Sequence, residues 1–183
     1  MIGVGENFIP EISSKEKSVF KKLKKTFPYL NICIWNTSLF NEFMIHQPNR
    51  FYIIIEAEKE ALNAVFYNLK ELKYHVFIEP SKDLLDKYLP EDKDIFIVKP
   101  LITEAPTQNI QGINTTSIEK MLVDIFCEEI VFSSQQGAEM QTIFNIAMDK
   151  YTINSNRMIR YANRRGKKDS FNNYINSISN LRQ

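Results

Sequence analysis

Glycine is scarce in this sequence, five in 183 residues. None stands in a G-x-x-x-x-G-K or G-x-G-x-x-G arrangement, so no loop is set to cradle phosphates on backbone amides. Cysteine is scarcer: Cys33 and Cys127 make neither a disulfide framework nor a zinc ligand set. Both lie in apolar runs (ICIW and LVDIFCEE), which suits buried free thiols. The two histidines, His46 and His75, neighbour no nucleophile signature and read as surface or hydrogen-bonded filler. No apolar stretch approaches the ~20 residues needed to cross a bilayer. The start, MIGVGENFIPEI, lacks the basic segment and apolar run of a secretory signal. The expectation is a cytoplasmic protein with no membrane, metal or cofactor. Excess charge of one sign is lacking too: 23 Lys+Arg face 22 Asp+Glu, for a net +1. Bulk electrostatics therefore select no partner, and affinity for nucleic acid has to come from a local patch.

What is present suffices for one hydrophobic core. The chain is 44% hydrophobic and 12% aromatic, and its length predicts a single domain spanning residues 1–183. SSKEKSVFKKLKKT (13–26) reads as a helix capped by Ser13 or Ser14. NICIWN (31–36), FYIIIEAE (51–58), YHVFIEP (74–80) and DIFIVKP (94–100) read as strands. Helices EKEALNAVFYNLKELK and SKDLLDKYL fall between them, and IQGINT (110–115) adds a fifth, antiparallel edge strand after the loop TEAPTQ. Beyond residue 115 only helices are predicted, near 116–128, 137–151, 154–165 and 169–180. The fold class is therefore α/β (α+β): a mixed β-sheet of about four to five strands flanked by helices, with a helical C-terminal third. The strand-rich part covers about 27–115 and the helical part about 116–180.

GINTTSIEKMLVDIF (112–126) places two carboxylates, Glu119 and Asp124, in the best-formed of these helices. Thr116 and Glu119 fit a capping box, each bonding the other's amide. Ile118, Met121, Leu122, Ile125 and Phe126 form one apolar face. Asp124 falls at the edge of that face, one turn after Lys120, where a rim ion pair is worth about 1 kcal/mol or less. Both acids thus have structural work before any catalytic role. A metal-dependent nuclease of the restriction-endonuclease type needs acids at strand ends and a lysine in register with them. Glu56 and Glu58, with Asp124, are the candidates for that alternative, but Lys59 points to the opposite side of the strand. No catalytic residue is assigned, and the second alternative is an unrelated protein-interaction domain.

The stretch YTINSNRMIRYANRRGKK (151–168) differs in kind. Arg157, Arg160 and Arg164 recur at i, i+3 and i+7 on one helix face. Arg165, Lys167 and Lys168 extend the cluster, and no acidic residue interrupts it. The bland reading is a solvated face whose arginines pair with Glu139 or Asp149. The functional reading is a surface for phosphates or an acidic partner, because the arginine fork suits both.

Several segments together resemble the C-terminal domain of AbiEi-type antitoxins of type IV toxin–antitoxin systems, in a Bacteroidetes-like branch. They are FIPEIS (8–13), the run from FP to HQ (27–47), IIIEAEKEALNAVFYNLK (53–70), VKPLITEAP (98–106), TTSIEKMLVDIF (115–126) and YTINSNRMIRYANRRGK (151–167). The resemblance covers nearly the whole chain and rests on the order and spacing of these pieces. It implies a non-enzymatic antitoxin and transcriptional autorepressor in a phage-defence (abortive infection) operon. The functional partner implied is an operon-encoded nucleotidyltransferase toxin of the AbiEii class, opposed without a stable complex. Such antitoxins carry an N-terminal winged helix-turn-helix before FIPEIS. Here FIPEIS begins at residue 8, so that module is expected to be absent. The resemblance supplies no catalytic or metal-binding residue, and only the basic segment Arg157 to Lys168 is carried over as an interaction surface.

Overall fold

An apolar run without alternation belongs in a strand covered on both faces, and the three isoleucines at 53–55 are buried in that way. The structure, a computed structural model, describes residues 5–87 and 94–180. Chain order is α1 (Ser14–Thr26), β1 (Ile32–Asn36), β2 (Tyr52–Ala57), α2 (Leu62–Glu71), β3 (His75–Ile78), α3 (Lys82–Lys87) and β4 (Ile95–Pro100). There follow β5 (Thr107–Ile110), β6 (Ile113–Thr116), α4 (Ile118–Cys127), α5 (Ala138–Lys150), α6 (Ser155–Arg164) and α7 (Lys168–Asn180). The segment TSLFNE forms a 3-10 turn, Thr37–Glu42. The end of the helix expected over SKDLLDKYL lies outside the described residues.

The main sheet is mixed, with strand order β1-β2-β4-β3. β1 runs antiparallel to β2, while β2 and β3 both pair in parallel with β4. Alternation sends Ile53, Ile55, Phe96 and Val98 to one face, under α1 and α2. It sends Trp35, Ile54, Ile95 and Ile97 to the other, against Leu85 of α3 and the C-terminal helices. The crossover through α2 steps from β2 over β4 to β3, and the crossover through α3 steps back. Crossovers in opposite directions place their helices on opposite faces, because parallel crossovers are right-handed.

The edge strand expected at 110–115 is instead a hairpin in a sheet of its own. β5 and β6 pair antiparallel around Gln111 and Gly112, whose φ values are 52° and 83°. Two consecutive positive φ angles make the tight turn whose twist matches a hairpin, so pairing starts at Thr107, inside the segment read as loop. Asn114 Nδ2 donates to Ile32 O at 3.1 Å and ties the hairpin to β1.

Side chains cap the starts of α1, α4 and α6, with the α4 cap shifted by one residue. Ser13 Oγ accepts from the Glu16 amide at 3.2 Å, and Glu16 Oε2 accepts from the Ser13 amide at 3.0 Å. At α4 the cap is Ser117 rather than Thr116: its Oγ accepts from the Lys120 amide at 3.4 Å. Thr116 is the last residue of β6, and its extended pairing with Thr107 moves the helix start one residue along. Glu119 accordingly does not close a capping box. It accepts from Ser117 Oγ at 2.7 Å and from the Asn154 amide at 3.2 Å, joining the start of α4 to the start of α6.

Candidate functional site

The pleat that buries Ile54, Ile95 and Ile97 also sends Glu56 and Lys99 to the face covered by α4. These two residues are register partners on the adjacent parallel strands β2 and β4. Above them α4 presents Lys120 and Asp124, one turn apart, and Glu128 follows as the helix C-cap. Lys120 Nζ lies 2.8 and 2.6 Å from the two Glu56 carboxylate oxygens and 2.6 Å from Asp124 Oδ2. Trp35 Nε1 donates to Glu56 Oε2 at 3.0 Å. Tyr161 OH and Arg165 Nη1 donate to Asp124 Oδ1 at 2.9 and 2.6 Å. Arg165 Nη2 lies 3.3 Å from Glu128 Oε2, the same oxygen that pairs with Lys99 Nζ. Charge thus alternates along a chain Glu56, Lys120, Asp124, Arg165, Glu128, Lys99, with three cations balancing three carboxylates.

The inner half of this chain lies in the interior. Lys120 is 0% exposed, and Glu56 and Asp124 are 1% each. The Lys120 ammonium also sits 5.2 Å from the Trp35 ring centroid, a cation–π contact in a desolvated setting. Burial works against the Lys120 charge, but the Asp124 and Glu56 carboxylates outweigh it and hold the ammonium pKa well above that of free lysine. Burial likewise opposes Asp124 ionisation, and Lys120, Arg165 and Lys99 overcome it, so the carboxyl titrates below its ordinary value. Burial, reinforced by Asp124, raises the Tyr161 phenol, which stays a donor. The Cys33 and Cys127 thiols are both raised by burial, Cys127 to about 11. Neither is a thiolate nucleophile near neutral pH.

The rim position expected for Asp124 is therefore corrected. Lys120 does pair with it, but beneath α4 rather than in solvent. Asp124→Asn is expected to cost about 2–3 kcal/mol, the scale of lost charge-assisted hydrogen bonds in a dry site, read from urea unfolding. The sign with pH follows from the lowered pKa. Stability from Asp124 is complete above the unfolded value near ~4 and is lost as pH falls through the lower folded value. The contribution from Lys120, whose pKa is raised, is complete below ~10 and is lost only as pH rises through the higher folded value. Acid unfolding of the wild type should thus carry a component below pH ~4 that Asp124→Asn lacks.

The basic segment divides between two environments. α6 ends at Arg164, and Gly166 at φ 68° turns the chain before α7 begins at Lys168. That turn carries Arg165 inward to Asp124 and Glu128, so Arg165 is not part of an exposed stripe. Arg164 Nε pairs with Glu104 Oε2 at 2.6 Å, and Arg157 Nη1 lies 3.9 Å from Glu119 Oε1. Glu139, the partner expected for an arginine, bonds His46 Nδ1 at 2.8 Å instead. Arg160, Lys167 and Lys168 are exposed and form no ion pair among the described residues. Of the acids in the nuclease alternative, Glu56 and Asp124 both face the Lys120 ammonium, and Glu58 Oε1 accepts from the Asn31 amide at 3.3 Å. Among the described residues no three His, Cys, Asp or Glu side chains are grouped to hold a metal ion.

Sequence reading missed Lys99, Lys120, Trp35 and Tyr161 as one assembly. The signal was parity: Glu56 shares its face with Ile54, and Lys99 shares its face with Ile95 and Ile97. The outer end of the charge chain opens into a hollow of about 270 Å³ at the carboxyl ends of β3 and β4. Lys99, Glu128 and Arg165 meet there with Pro80, Ile130 and Val131.

Among known proteins, the chain matches DUF6577, a family of unknown function, over residues 1–181. The chain belongs to that family. No curated protein and no solved structure matches it.

Proposed function

We propose that this DUF6577 member is a non-enzymatic regulatory domain of the antitoxin kind, opposing an operon-encoded nucleotidyltransferase toxin of the AbiEii class, in an autoregulated operon for phage defence in the cytoplasm. The reading joins the segment resemblance to AbiEi-type antitoxins with one feature of the charge distribution. The interior charges are satisfied by one another, whereas Arg160, Lys167 and Lys168 are exposed and form no ion pair among the described residues. Exposed cations of this kind favour recognition of an acidic surface or of phosphates.

Co-expression with an AbiEii-class toxin encoded beside the gene tests the proposal. Growth is expected to be restored by the wild type. Persistent arrest in the presence of soluble wild-type protein would overturn the antitoxin reading. Replacing Arg160, Lys167 and Lys168 together by glutamate should abolish rescue while the melting temperature stays nearly constant, because exposed charges contribute little to folding. If the surface engages nucleic acid, the salt dependence of binding should become shallower by about one log–log unit for each phosphate that the variant no longer neutralises.

A further inference from the structure

The hollow at the carboxyl ends of β3 and β4 goes beyond the antitoxin reading and stands independently of it. We propose that it is a binding site for a small organic monocarboxylate with an apolar body, with Lys99 and Arg165 receiving the carboxylate and Glu128 holding its place in the free protein.

Four observations converge. The first is position: the hollow lies beyond the carboxyl ends of two adjacent parallel strands, the end of an α/β sheet at which ligands bind. Glu79 and Pro80 follow β3, and Lys99 and Pro100 end β4, at one side of the hollow. The second is charge: Lys99 and Arg165 converge on one oxygen, Glu128 Oε2. Glu128 is also the most exposed of the three side chains, at 21% against 9% for Lys99 and 14% for Arg165. Glu128 is therefore the member that can leave while both cations stay. Lys99 is held by its strand and by the Phe132 ring, whose centroid is 5.3 Å away, and Arg165 by Asp124. With Glu128 displaced, two anchored cations face a space that fits a carboxylate.

The third observation is the wall. Pro80, Pro100, Ile102, Ile130 and Val131 surround the charged floor, and Ile130 is exposed in the folded chain. An apolar surround with a few convergent polar groups is the usual composition of a ligand pocket, and about 270 Å³, just below the usual range, limits the ligand to a small one. The fourth is the rim. Glu79 stands at the mouth with φ 41°, in the left-handed region that side chains disfavour. Its exposed carboxylate adds negative charge there, which opposes entry of phosphate and other dianions and favours a single negative charge.

Calorimetric titration of the folded full chain with hexanoate tests the site, with hexylamine and inorganic phosphate as comparisons. Hexanoate is expected to bind saturably and the other two not. Glu128→Gln should tighten hexanoate binding several-fold, because it removes the internal competitor; a purely structural role for Glu128 predicts no gain. Ile130→Asp, on an exposed wall residue, and Lys99→Gln should each weaken binding roughly tenfold or more, as expected for loss of a wall or of a charge-assisted hydrogen bond. If Lys99→Gln does not fold, the other two variants decide. The proposal is overturned if hexanoate fails to saturate the wild type, if hexylamine or phosphate binds as well, or if folded Glu128→Gln binds no tighter than wild type.

Discussion

Lys120→Met is expected to lower the unfolding free energy by about 3–5 kcal/mol, the cost of leaving buried charges without their partner. The methionine fills nearly the same volume, so packing accounts for little of that loss. What remains is Glu56 with the Trp35 indole as its donor, beside an Asp124 still held by Arg165 and Tyr161, so one buried carboxylate has lost its cation. The control is the double replacement Glu56→Gln, Lys120→Met, which removes one charge of each sign, leaves Asp124 with Arg165 and Tyr161, and should recover much of the stability. Urea unfolding of the wild type and the two variants checks the result. A Lys120→Met variant as stable as the wild type would mean that the ammonium contributes nothing net.

The second large effect is expected at Trp35, the single tryptophan of the chain. Its ring stacks on Phe132 at 5.8 Å and meets Phe40 edge-on at 6.1 Å, while its indole nitrogen reaches Glu56. Trp35→Ala should cost about 3–5 kcal/mol through lost burial and the cavity left between sheet and helices. Trp35→Phe keeps most of the aromatic packing and removes only the donor to Glu56, for about 1–3 kcal/mol. Circular dichroism is the suitable readout, since both variants lack the tryptophan fluorophore. Equal costs for the two replacements would show that the hydrogen bond, rather than packing, dominates at this position.

Which parts of this molecule could be read without coordinates depends on how local their physics is. The isoleucine run at 53–55 and the apolar segment DIFIVKP identify interior strands on their own, because burial on both faces leaves no polar alternation to confuse them. The helices after Thr116 begin and end close to their predicted positions, since caps and a 3.6-residue period are properties of neighbouring residues. The pairing of Lys120 with Asp124 was legible for the same reason: it spans a single turn.

Tertiary structure decided the rest. Asp124 looks like a rim residue along α4, and only the sheet beneath and Tyr161 and Arg165 beside it enclose it. Arg165 looks like one more cation in a basic run. The helix stops one residue before it, and the turn at Gly166 sends it inward, away from Arg160 and Lys168. Lys99 and Glu128 are distant in sequence and meet because β4 ends where α4 ends. A pattern along the chain reports which side of an element is apolar; it does not report which charges from other elements will be brought to that side. The sequence by itself therefore determined most of the elements and the apolar side of each, though not the hairpin at 107–116. The charged assembly and the hollow beside it exist only once those faces close on one another, because desolvation and long-range pairing have no counterpart in a chain exposed to water.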